Sequence, residues 1–233
     1  MTGRPLAQRR PGAAEVLRAK LAQTEPAVAA VTAELWRSSG LDRRYPDYLR
    51  AMYGVVRASV PLMERALLRC DAIGDGDSVC GPLRGYLEQH ITEEQGHDEW
   101  LLADLAAVGG GPAGPPSPAV ARLVGAQYYW IEHHHPVALL GYLAVMEGYA
   151  PAPWLPGKIT AATGVHAAAV RTVREHAALD GDHADAVFRL LDAVPLTRDQ
   201  ELGVAVSGLH TVAAVLGLFA HVIEASRVEG GTA

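Results

Sequence analysis

HAALDGDH, residues 176–183, sets His176, Asp180 and His183 at i, i+4 and i+7. At 100° per residue, these three side chains fall within about 60° of one another on an α-helix, so a helical segment turns all of them toward one spot. Read as helix, the stretch is either a solvated polar stripe or half of a metal site. One helix rarely completes such a site, so the choice depends on what the rest of the chain supplies.

Outward from this segment, apolar residues recur at three- and four-residue spacing over nearly the whole chain, and the β-branched alternation of strands is missing. The periodicity predicts an all-α fold of about seven helices. The first covers about 13–38, and the second about 45–70 with Pro46 in its first turn. A third covers 82–107 and ends at GGGPAGPPSP (109–118), where glycines and prolines cannot continue a helix. The fourth starts at Ser117 as N-cap with Pro118 behind it and kinks at Pro136. A short helix near 157–164 follows, then one over 165–194 with a weak point at Gly181, then a last one over 198–227 opened by Thr197. The expected organisation is one domain over 13–227, with flexible tails at 1–12 and 228–233.

The bulk numbers agree with one soluble globular domain. The chain has 233 residues, 49% of them hydrophobic and 20% charged. A net charge of -6 and an isoelectric point near 5.9 give no broad cationic surface for nucleic acid or anionic membrane. Cys70 and Cys80 form neither a CxxC nor a disulfide framework, which fits a reduced, cytoplasmic setting. The N-terminal residues lack the apolar core of a signal peptide, and the longest apolar run considered, 136–157, is interrupted by Glu147 and several Pro and Gly. A small molecule is the expected partner, neither nucleic acid nor membrane is, and a homodimer is an option.

Two further features complete the donor inventory. In EQHITEEQGHDEW (88–100), His90, Glu94 and His97 repeat the i, i+4, i+7 spacing, and Glu94 with His97 forms the E-x-x-H pair by which di-iron bundles present a carboxylate and an imidazole inward. Glu93 lies only slightly off that face. In ALLGYLAVMEGYAP (138–151), Glu147 is the one charged residue between Pro136 and Gly157, so its carboxylate must be paired, protonated or bound to a cation. Glu94, His97, Glu147, His176, Asp180 and His183, with His90 and Glu93 as additional candidates, are the hard-oxygen and borderline-nitrogen mixture that suits a pair of iron or manganese ions. Tyr128 and His134 are candidates for the wall of a substrate pocket. No GxSxG, HExxH, GxGxxG or P-loop motif is present.

Taken in order, EExGH, a lone Glu in MEG and then H-x3-D-x2-H resemble the heme-oxygenase-like di-iron oxidases and oxygenases. Their fold is shared with the TenA thiaminases and the pyrroloquinoline-quinone synthase. The resemblance covers about residues 45–225 and implies Glu147, His176, Asp180, His183 and His97 as ligands. Glu94 is the chosen carboxylate of the earlier helix, and His90 stands where some members carry a glutamate. It further implies two Fe(II) ions, with manganese as the alternative, O2 as co-substrate, and a small amino-acid- or fatty-acid-derived substrate. N-oxygenation, desaturation or oxidative C–C cleavage in the biosynthesis of secondary metabolites would be the reaction. A metal-free enzyme similar to TenA or the quinone synthase, or a non-catalytic ligand-binding protein of the same fold, is the alternative. A true heme oxygenase fits poorly, because no histidine precedes His90 to serve as the proximal ligand.

Overall fold

Proline and glycine positions decide where the helices break. In the computed structural model, which describes residues 11–228 except for the side chains at 180, 181 and 228, there is no strand among the described residues. The helices are α1 (Ala13–Ala22), α2 (Glu25–Leu35), α3 (Leu41–Val56), α4 (Ser59–Ile73), α5 (Cys80–Glu94), α6 (His97–Ala107), α7 (Pro118–His133), α8 (Leu139–Gly148), α9 (Leu155–Thr163), α10 (Arg171–Ala193) and α11 (Arg198–Val228), with 3-10 turns at Pro136–Ala138 and Ala167–Val170. Apart from residues 11 and 12 and the backbone of 228, the tails expected from the sequence lie outside the described residues.

Among the described residues eleven α-helices replace the seven or so expected, because four of the seven are broken. A proline ring collides with the carbonyl four residues earlier and offers no N–H. Pro26 thus forbids continuation past Ala22, and Pro61 past Arg57, which ends α1 and α3 close to those residues. Pro136 separates α7 from α8, as expected. The fourth break is at Gly96, whose φ of 85° is left-handed and follows an extended Gln95. Pro46 does not open its helix: α3 begins at Leu41, a turn and a half earlier.

The long α11 is the axis of the bundle, with α8, α7, α2, α3 and α1 packed on it. A reciprocal capping box starts it, in which Gln200 N–H donates to Thr197 Oγ1 (3.2 Å) and Thr197 N–H to Gln200 Oε1 (2.9 Å). Against it lies α8, apolar on every side and buried from Leu139 to Val145. A Cβ at Gly141 would collide with the Val204 carbonyl and sit 2.7 Å from Gly208 N, so the two backbones touch. That contact fixes Glu147, less than two turns further along α8. By length and composition α11 could cross a membrane, although 44% of its most apolar window is buried within the fold.

Candidate metal centre

Four helices deliver donors to one interior space. His90 and Glu94, one turn apart on α5, face inward with 2% and 8% exposure. His97 follows as the first residue of α6, Glu147 comes from the last turn of α8, and His176 and His183 stand two turns apart on α10. The E-x-x-H pair expected on one helix is therefore split across two. Gly96 turns the chain so that the last residue of α5 and the first of α6 still converge, with His97 Nδ1 3.3 Å from Glu94 Oε1.

The donors form two sets. His90, Glu94, Glu147 and His183 each offer an atom within 4.8 Å of the others, and Glu94, His97 and His176 do the same. Glu94 belongs to both. His90 Nε2 and His183 Nδ1 stand 3.4 Å from Glu147 Oε1 and Oε2 respectively. Two donors about 2.1 Å from one ion, subtending 90–110°, are about 3.0–3.4 Å apart. His90 Nε2, His97 Nδ1 and His183 Nδ1 are buried without a hydrogen bond: each lies beside a carboxylate whose oxygen misses the N–H direction. Buried nitrogens without an aligned partner cost about 1–3 kcal/mol apiece, and a cation in each donor set would satisfy all three.

The outer nitrogens support this assignment. His176 Nδ1 donates to the Thr172 carbonyl at 2.9 Å, which leaves Nε2 bare. Glu93 accepts from His90 Nδ1 at 3.4 Å and lies 3.6 Å from His183 Nε2, so it backs both imidazoles from behind while Gln89 holds its other oxygen. Carboxylates and carbonyls in that position fix the tautomer of a metal-binding histidine. His90 thus joins the inner set and Glu93 stands outside it. Asp180 lies between His176 and His183 in sequence, and its side chain is outside the described residues.

Electrostatics tie the same groups together. Burial raises the affinity of the Glu147 carboxyl for its proton, yet the flanking His183 and His90 bring its pKa down to about 2. The His183 pKa is raised chiefly by Glu147; at His90 burial opposes the rise, and Glu147 outweighs it. A cation at this site would compete with the protons that Glu147 favours on His90 and His183.

Asp104 was not singled out in the sequence, yet it sets half of the geometry. Fully buried on α6, it accepts Thr172 N–H at 2.8 Å and Arg171 N–H at 3.2 Å, capping the start of α10. One carboxylate thereby locks the helix of His97 to the helix of His176. Its only sequence signal is an acid two residues past the apolar pair Leu101–Leu102 on a helix that must be buried.

A cavity of about 270 Å³ meets the donor sets at His90, Glu94, Glu147 and His176. Its walls are mostly apolar, among them Met52, Val55, Leu101, Val212 and Phe219, and neither Lys nor Arg lines it. The Tyr142 hydroxyl and Thr172 Oγ1 are buried there, beside Ser59 and Asp104 respectively. Tyr128 and His134, the expected wall residues, are not among the lining. Tyr128 packs against the core, and His134, at the end of α7, lies 3.3 Å from Asp199 and fills the space over Gly203. Of the three consecutive histidines only His133 is helical, packing on Tyr129, while His134 faces Asp199 and His135, on extended backbone, faces Asp77.

A third group, Asp77, Cys80 and His135, brings donor atoms equally close. Here the imidazole is spoken for: His135 Nδ1 accepts Val137 N–H at 3.1 Å, so Nε2 keeps the proton and faces Asp77 Oδ2 at 3.3 Å. A metal on Nε2 would need the opposite tautomer.

Sequence comparison places this arrangement. The profile of the iron-containing redox enzymes matches residues 46–217, most of the chain and every donor named above. The chain belongs to that family. A crystal structure from Shewanella denitrificans OS217, a domain of unknown function with a heme oxygenase-like fold, superposes with a TM-score of 0.73 at 18% identity, covering 91% of this chain and 96% of that one. This iron-containing redox enzyme therefore has the heme-oxygenase-like fold. No curated protein matches its sequence significantly.

Proposed function

We propose that the protein is a non-heme di-iron oxidase or oxygenase that uses O2 on a small substrate of predominantly apolar character. The observation that carries this reading is Glu94, shared by two donor sets in which His90 Nε2, His97 Nδ1 and His183 Nδ1 are buried beside carboxylates without an aligned hydrogen bond. The residues fit two Fe(II) ions: His90, Glu147 and His183 on one side, His97 and His176 on the other, Glu94 between them, and Asp180 at the sequence spacing of a further ligand. Bound iron would supply the reductive activation of O2.

The chain's own residues do the rest. Glu93 and the Thr172 carbonyl hold the imidazoles in the tautomers that leave the inner nitrogens free. Asp104 keeps the α6 and α10 ligands in register. The apolar walls keep water from the reacting centre, and the Tyr142 and Thr172 hydroxyls are available to orient a polar group of the substrate. No Lys or Arg in the lining meets a substrate carboxylate, so the carboxyl end of either substrate class would have to lie elsewhere, and the apolar walls favour an alkyl chain within the cavity. Desaturation or oxidative C–C cleavage in a cytoplasmic biosynthetic role accords with that preference.

Anaerobic Fe(II) titration of the metal-stripped protein, followed by admission of O2 and monitored by visible absorption, tests the reading. About two irons per chain and an O2-dependent spectral change are expected. Absence of iron uptake by the folded wild-type protein would refute it.

A further inference from the structure

One face of α11 is left exposed or half-buried among the described residues, although Leu216 on it also touches the core. Along a single stripe the exposed or half-buried residues are Arg198, Leu202, Val206, Leu209, Ala213, Leu216, Gly217, Ala220 and Glu224, with Leu202 58% and Val206 40% exposed. The spacing of three and four residues holds over the whole run, charge occurs only at its ends, bulk lies toward the N-terminus and small residues toward the C-terminus. The opposite face lines the cavity through Val212, Val215 and Phe219.

Gly217 supplies a second, independent observation. Glycine inside a helix costs about 1 kcal/mol relative to alanine, so it calls for a reason. Gly141, Gly203 and Gly208 have theirs inside the chain, since a Cβ on each would press against Val204 and Gly208, His134, or Leu17 respectively. A Cβ on Gly217 meets nothing within 4 Å. Gly85, Gly125 and Gly157 are open in the same way, so the space names no partner by itself, but on this face it leaves room for a close approach.

We infer that this face is covered by the same face of a second copy, the two α11 helices running antiparallel about a two-fold axis near residue 211. In that register Leu202 falls on Ala220 of the other copy, Val206 on Leu216 and Gly217, Leu209 on Ala213, and Arg198 on Glu224. Large side chains meet small ones and a cation meets an anion at both ends, which is the self-complementarity an isologous interface requires. From Leu202 to Ala220 the apolar part of the stripe spans about 27 Å and offers about 300 Å² per copy, less than the roughly 800 Å² of a stable pair. The helices packed beside it complete the area: α7 exposes Gly125 and Tyr129, and α2 exposes Ala27 and Ala30.

Sedimentation velocity on the full chain, with light scattering to fix the mass, tests the proposal. The wild type is expected at twice the 24.7 kDa of the chain. Gly217→Leu fills the space and strengthens the isolated helix, so a monomer with undiminished melting temperature is expected. Val206→Glu should also yield a monomer. Arg198→Glu should raise the dimer dissociation constant about tenfold, and adding Glu224→Arg should restore it, because only an antiparallel self-pairing places those two positions together. A monomeric wild type at 100 μM would overturn the inference, as would a dimer unaffected by both Gly217→Leu and Val206→Glu. A monomer that instead sediments with anionic phospholipid vesicles would assign the face to a membrane and overturn it as well.

Discussion

Two buried histidine–carboxylate groups lie in this bundle, and only one has the character of a metal site. Around Glu94, three imidazole nitrogens are buried with carboxylates beside them and no hydrogen bond made. Around His135, the same residue types stand as close together, yet Val137 N–H, Val79 N–H and Cys80 N–H satisfy the ring and the Asp77 carboxylate. Proximity of donors is common to both. What separates them is which lone pairs are still unclaimed once backbone hydrogen bonds are counted.

The largest test of that contrast is to remove the shared carboxylate. Glu94→Ala should abolish uptake of both irons, whereas Glu147→Ala and His176→Ala should each leave about one per chain, read by iron analysis after anaerobic loading. If Glu94→Ala still binds two irons, the two donor sets do not share a bridge. A smaller effect is expected at the other group. Asp77→Ala removes the acceptor for two N–H groups at the start of α5 and should cost about 1–2 kcal/mol of stability in urea unfolding, with iron stoichiometry unchanged.

The smallest expected effect is a pH dependence confined to the first group. The Glu147 pKa is depressed from 4.5 to about 2, so its contribution is present above pH 4.5 and is lost as pH falls toward 2. The His90 and His183 pKa values are raised above 6.5, so their contribution is present below pH 6.5 and is lost as pH rises through the folded values. Metal-free protein should therefore be most stable between pH 4.5 and 6.5 and lose stability as pH rises above that window. Glu147→Gln should flatten the profile in thermal melts, and Asp77→Ala should leave its shape intact.

Much of the first group is legible in the sequence because helical spacing makes neighbours of residues three, four and seven apart. His176 with His183, and His90 with Glu94, follow from that alone, and Glu147 declares itself by its apolar surroundings. What the spacing does not contain is long-range placement. The backbone contact of Gly141 with Gly208, which positions Glu147, joins residues 67 apart, and Asp104 reaches α10 over a similar distance. Nor does periodicity locate the breaks: it runs smoothly through Gly96 and Pro61, where the chain turns. His134 and Tyr128 were mistaken for cavity wall because a polar or aromatic residue near a kink has the same composition whichever side of the helix faces the core.

Asp104 bears on how loss-of-function data from this protein should be interpreted. It touches none of the metal donors, yet the start of the helix carrying His176 hangs on its two oxygens. A mutational screen scored by iron content would therefore rank it with the ligands, a false positive produced by architecture. Dose distinguishes the two cases: a displaced donor can be recruited again by excess metal, while a deleted donor cannot.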